Sequence, residues 1–148
     1  MNKQFVLLVI VVILFGCSHH NDEPVIEDKE LGIMWTGRVS ESSMSFDEAL
    51  VYCRNLTYHG HTDWRLPTRS ELESMINPSL IDQSPDSSVV PLYGPFSTPS
   101  EGYVFSGTIV SGYTNAPYVM NLRNGHVFNG QGYAAYVRAV RDLRFEAK

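Results

Sequence analysis

The chain has 148 residues, 43% of them hydrophobic, with 11 basic against 16 acidic residues, a formal net charge of −5 and two cysteines. That length suits one globular domain, which can bury a sizeable core without disulfides or metal. Together these totals exclude a multidomain enzyme, a polytopic membrane protein, a disulfide scaffold and a globally basic nucleic-acid binder. Taken in chain order, the first feature is an unbroken apolar run from Phe5 to Phe15 behind Lys3. It falls short of the roughly 20 apolar residues a membrane-spanning helix needs, and its charged start and apolar centre have the anatomy of a secretory signal.

The end of that signal, Leu14-Phe15-Gly16-Cys17, resembles the lipobox of bacterial lipoproteins. The resemblance implies residues 1–16 as signal peptide, lipidation at Cys17 and a membrane partner reached through that anchor. Several acyl chains on one residue hold a protein stably, at about 0.8 kcal/mol per buried methylene. Ser18 follows the cysteine, and by the same resemblance the expected address is the outer membrane of a Gram-negative cell envelope. Without residues 1–16, which carry Lys3 and no acidic residue, 132 residues remain, with 10 basic and 16 acidic. Residues 17–30 are rich in Asp and Glu and read as a lipidated cysteine on an acidic, solvated tether, with the domain at 31–148.

The first expected element is a short strand within Gly32 to Val39, carrying Ile33, Met34 and Trp35. Two helices follow. Ser45 with Glu48 spells a capping box, and Phe46, Ala49, Leu50, Cys53 and Leu56 recur at helical spacing until Gly60. Thr68 with Glu71 spells a second, with Leu72, Met75 and Ile76 on one face and Pro78 as the stop. Residues 77–101 hold five of the eight prolines and read as a long irregular loop. Strand-like runs follow at 102–109, 117–122, 125–128 and 134–140, with Arg123-Asn124-Gly125 as a hairpin link. In the second run Tyr118, Met120 and Leu122 alternate with Val119, Asn121 and Arg123, as in a sheet packed on one side. The layout is α+β: two short helices packed on an antiparallel strand meander.

These residues are similar to a known family. Ala49 to Leu56, Gly60 to Leu72, the opening Gly32-Ile33-Met34-Trp35, the closing Tyr136-Val137-Arg138-Ala139-Val140-Arg141 and a central block from Phe105 to Val127 resemble the hallmarks of DUF1566, the Lcl C-terminal domain family. The resemblance runs from about Leu31 to Arg141 and implies a C-type-lectin-like fold. It implies no reaction, because one fold hosts many functions. Family members often carry a cysteine where this chain has Ala139, one able to pair with the helix cysteine, so Cys53 is expected as a buried free thiol. The calcium-ligating signatures of calcium-dependent lectins are absent, and such sugar binding is not expected.

His59, His61 and Asp63 form a His-x-His-x-Asp cluster after the first helix. A divalent metal is conceivable there; the favoured reading is a polar loop in which Asp63 braces the Trp64-Arg65 turn. Trp64 reads as a core anchor and Arg65 as a donor to carbonyls or a carboxylate. Residues 31–101 carry 4 basic and 9 acidic side chains, whereas residues 102–148 carry 5 basic and 2 acidic. Arg123, Arg138, Arg141 and Arg144 stand in that basic half beside Tyr103, Tyr113, Tyr118, Tyr133 and Tyr136, and the mixture suits anionic glycans or acidic protein partners. The candidate ligand-binding set is therefore Arg123, Arg138, Arg141, Tyr113 and Tyr118. The competing reading has Arg138 and Arg141 paired internally with helix carboxylates, and the tyrosines packing or capping the sheet.

The expected function is a lipid-anchored envelope module that binds a surface glycan or an envelope protein, with no catalytic residues, cofactor, metal or nucleic-acid partner. The alternatives are an accessory subunit of an envelope assembly such as a pilus or secretion system and, more weakly, an enzyme of the formylglycine-generating fold.

Overall fold

A computed structural model describes residues 23–76 and 102–143. The signal segment, Cys17, the start of the tether, the proline-rich stretch at 77–101 and Arg144 lie outside the described residues. The elements are β1 (Ile26–Asp28), β2 (Ile33–Trp35), α1 (Phe46–Asn55), α2 (Arg69–Ser74), β3 (Tyr103–Ile109), β4 (Pro117–Asn121), β5 (Val127–Asn129) and β6 (Val140–Asp142). They build two antiparallel three-stranded sheets, ordered β1-β2-β6 and β3-β4-β5. The chain is thus α+β, as expected. The meander proper stops at β5, and β6 leaves it to pair with β2, aligning Trp35 with Val140 and Met34 with Arg141.

Both capping boxes form. The Ser45 hydroxyl accepts the Glu48 N–H while the Glu48 carboxylate accepts the Ser45 N–H at 2.8 Å. Thr68 and Glu71 do the same, the Glu71 carboxylate accepting the Thr68 N–H at 2.7 Å. Each pair satisfies two N–H groups that a helix start leaves orphaned. Helix α1 ends five residues before Gly60, because Leu56 turns extended and caps back onto the Cys53 carbonyl. Tyr58 and His61 then exchange both backbone hydrogen bonds, at 3.1 and 3.0 Å. His59 and Gly60 sit between them at φ 47° and 76°, the left-handed pair of a two-residue hairpin turn. Gly60 therefore serves that turn rather than stopping the helix.

Part of the sequence expected as tether is structured. Ile26–Asp28 pairs antiparallel with β2, placing Ile26 against Trp35. Just before β1, the Tyr58 hydroxyl donates to the Glu23 carbonyl and His59 Nε2 lies 2.9 Å from the same oxygen. Gly37 permits this close approach, since a Cβ there would stand 2.0 Å from the Pro24 carbonyl oxygen.

The expected strand at 134–140 is extended yet bonds to a succession of different neighbours. Ala135 and Met44 exchange both backbone bonds, Ser40 donates to Val137 and Thr36 to Ala139. On the opposite side Tyr136 bonds to Tyr103 and Phe105, and Val140 exchanges both bonds with Arg65. This buried segment is a spine joining both sheets and the approach to α2. Because its partner changes every residue or two, a regular ladder appears only where β6 begins.

The core has two halves. Phe46, Ala49 and Cys53 of α1 pack with Tyr58, Trp64, Phe105, Val119 and Val137. Leu72 and Met75, from α2 and its end, pack with Trp35, Val104, Met120, Leu122 and Val140. Adjacent residues of β3 and β4 thus serve opposite halves, and Val104, Phe105, Val119 and Met120 are all 0% exposed. Here the sequence expectation of a sheet packed on one side is corrected: alternation appears as two buried faces. Cys53 and Ala139 belong to the same core half. Cys53 is a buried free thiol, and burial pushes it up to about 12, so it stays protonated at neutral pH.

Candidate functional site

The expected binding set does not gather on one face. Arg138 is 0% exposed, and its guanidinium donates to the Thr36 and Gly37 carbonyls, each at 3.0 Å. Burial pushes its pKa down to about 10. Arg141 holds Asp63 with two parallel bonds, at 2.7 and 3.1 Å, and that bond holds the guanidinium above its ordinary value. Both arginines are thus engaged internally, but by partners other than the expected helix carboxylates: Arg138 by backbone carbonyls, Arg141 by Asp63, which lies outside both helices. Tyr118 lies under Arg69, whose guanidinium carbon is 4.7 Å from the ring centroid. Exposed Tyr113 and Arg123 occupy the β3–β4 and β4–β5 turns, at opposite ends of β4.

The His-x-His-x-Asp cluster is dispersed in the same way. Asp63 bonds to Arg141, across 78 residues of chain. His59 reaches the Glu23 carbonyl, and His61 meets Trp64 edge-on, with ring centroids 6.3 Å apart. Among the described residues no three His, Cys, Asp or Glu side chains gather as a metal site. Trp64 is a core anchor, 4% exposed, and its indole N–H donates to the His61 carbonyl at 3.0 Å. Arg65 bridges Glu71 and Asp142 at 2.8 and 2.6 Å, tying α2 to β6. Burial would raise the Glu71 pKa, but the bonds from Arg65 and the Thr68 N–H prevail and hold it below the ordinary value.

A cleft does form where the start of α1 meets the turns of the β3-β4-β5 sheet. Ser45, Phe46 and Asp47 make one wall, Asn115 and Pro117 the second, and Gly130, Gly132 and Tyr133 the third, around a cavity of about 180 Å³. The capping box turns Ser45 and Glu48 toward the helix backbone, and exposed Asp47 takes no part in it. At Gly130 a Cβ would meet Val119 Cγ2 at 2.3 Å and the Pro117 carbonyl at 3.0 Å. Only glycine lets the backbone close against β4 there. The Tyr133 N–H donates to the Gly130 carbonyl at 3.0 Å, and the ring, 50% exposed, stands edge-on to Phe128 with centroids 5.0 Å apart. Phe128 in turn stacks on His126 at 5.7 Å and meets Tyr103 at 6.0 Å. The lining thus combines a braced aromatic ring with polar residues, an arrangement able to hold a small ring-shaped ligand.

Residues 24–141 match the family model described as the Lcl C-terminal domain. The chain belongs to the Lcl C-terminal domain family. No curated protein matches it. The match begins two residues before β1, so the family region includes the first strand as well as the blocks from Gly32 onward. In this Lcl C-terminal domain the hallmark residues make the frame: Trp35, Trp64, Arg65, Arg138 and Arg141 are all engaged in packing or internal bonds. Asp47 and Tyr133 lie outside the hallmark blocks, and Asn115 falls within the span of the central one. Sequence reasoning named Tyr133 among the tyrosines of the basic half and read Gly130 and Gly132 as turn residues, but nothing local linked them to Asp47, more than eighty residues earlier.

Proposed function

We propose that this protein is a lipid-anchored binding module of the bacterial cell envelope, held at the outer membrane through Cys17 and recognising a surface glycan or protein ligand on a C-type-lectin-like scaffold. The observation that carries this reading is the cleft beside α1, a concavity to which exposed Asp47, Asn115 and Tyr133 contribute. A fold whose hallmark side chains all serve stability leaves its ligand specificity to such residues. No described helix is long and apolar enough to cross a membrane, and attachment is assigned to the lipid. The full chain, immobilised from detergent, is expected to bind at least one surface polysaccharide or surface protein saturably on arrays of both. Silence on both arrays would overturn the reading. A Cys17→Ala variant is expected to leave the membrane fraction; if it stays there, the lipid is not what holds the protein.

A second reading, an accessory subunit of an envelope assembly, draws on an adjoining surface that shares Asp47 with the cleft. Met44, Asp47, Glu48, Val51 and Tyr52 line an open groove of about 510 Å³ along α1, and Val51 is 51% exposed. Apolar side chains presented along one helix face suit a protein contact. Stoichiometric co-purification of envelope proteins from cells, with no glycan signal, favours this reading over the first.

A further inference from the structure

We propose that the cleft beside α1 takes one uncharged hexose-type ring, stacked on Tyr133 with its hydroxyls turned toward Asp47 and Asn115. This rests on the recognition reading and names its ligand class. Three observations converge on it. The first is size: about 180 Å³ is below the roughly 300–1,000 Å³ of pockets that enclose drug-sized ligands, so the cleft admits a single ring and leaves any further units of a chain in solvent.

The second is the wall. Tyr133 is half exposed yet fixed, its backbone bonded to Gly130, its ring braced by Phe128, and the turn before it held by the Asn129 side chain accepting the Gln131 N–H at 2.9 Å. An aromatic face carries partial negative charge and attracts the weakly positive C–H face of a sugar ring. A wall ordered in advance spares the entropy that binding would otherwise cost. The same lining includes Asp47 and Asn115, and a carboxylate that accepts and an amide that both donates and accepts match the paired hydroxyls of a sugar edge.

The third is charge. Asp47 is the one charged residue lining the cleft among the described residues, and Glu48 follows it on the helix. The guanidinium groups of Arg138 and Arg141 are occupied elsewhere. A sulfate or carboxylate on the ring would meet like charge at short range, whereas a neutral ring would not. The basic composition of the C-terminal half therefore does not carry over to this cleft.

The test is titration of the full chain in detergent with a panel of methyl hexopyranosides and their 6-sulfates, read by saturation-transfer NMR. At least one neutral hexoside is expected to bind saturably, and its 6-sulfate more weakly. Tyr133→Ala is expected to weaken binding about tenfold, the scale of losing one aromatic contact. Tyr133→Phe, which keeps the ring, is expected to lose less than Tyr133→Ala, and equal losses overturn the stacking role. Asp47→Asn is expected to narrow the gap between the neutral and sulfated forms, an outcome that mere structural damage would not produce. Neutral binding indifferent to Tyr133→Ala, or tighter binding of the sulfates, overturns the assignment. Array ligands that bind while every neutral hexoside fails sink this inference and leave the recognition reading standing; silence on both sinks the two together.

Discussion

Arg138→Leu is expected to destabilise the domain by about 2–6 kcal/mol, the cost of leaving two buried carbonyls without their donor. The guanidinium lies wholly inside, bonded to the Thr36 and Gly37 carbonyls, and leucine offers neither oxygen a donor. Each buried acceptor left without a partner costs about 1–3 kcal/mol, and loss of the long side chain adds a void. The damage should be concentrated where the spine meets the segment after β2. Urea titration followed by tryptophan fluorescence reads the effect directly, since Trp35 stands one residue before Thr36. A midpoint shift equivalent to less than about 1 kcal/mol would mean that water replaces the guanidinium at the carbonyls and that the arginine is not structural.

Phe105→Ala is expected to cost a similar amount, about 3–5 kcal/mol, through a cavity in the core. Phe105 is 0% exposed and meets Phe46 edge-on, with ring centroids 5.6 Å apart. Phe46 is the first residue of α1 and also lines the cleft, so the cavity opens beneath the wall that carries Asp47. The substitution should therefore weaken ligand binding as well as stability, although Phe105 itself touches no ligand. Phe105→Leu fills most of the space and is expected to cost less than half as much. Equal losses for alanine and leucine in calorimetry would show that the aromatic contact, and not the filled volume, is what matters.

The sequence alone was most reliable where an interaction closes within three or four residues. Ser45 with Glu48 and Thr68 with Glu71 form the boxes that their spacing spells, because a capping bond depends on little beyond its own turn. Gly125 makes the hairpin link between β4 and β5, at φ 69°, for the same reason. The family blocks, in order along the chain, were sufficient to identify the Lcl C-terminal domain. They identified a frame, and a frame is what those residues build.

What the tertiary structure decided is every property that depends on a distant neighbour. A basic half of the chain looked like a binding surface until Arg141 met Asp63 across 78 residues and Arg138 met two carbonyls just over a hundred residues away. Alternation in β4 looked one-sided because a period of two assigns residues to faces without saying what covers each face. The segment at 134–140 looked like one strand because β propensity does not reveal that its bonding partners change along its length. The cleft belongs to the same class. Asp47, Asn115 and Tyr133 come from three separate stretches, and only the packing of α1 against the β3-β4-β5 turns makes them neighbours. Local chemistry was legible in the sequence because short loops fix it; the site was not, because long-range burial decides which charges are spent inside and which face a ligand.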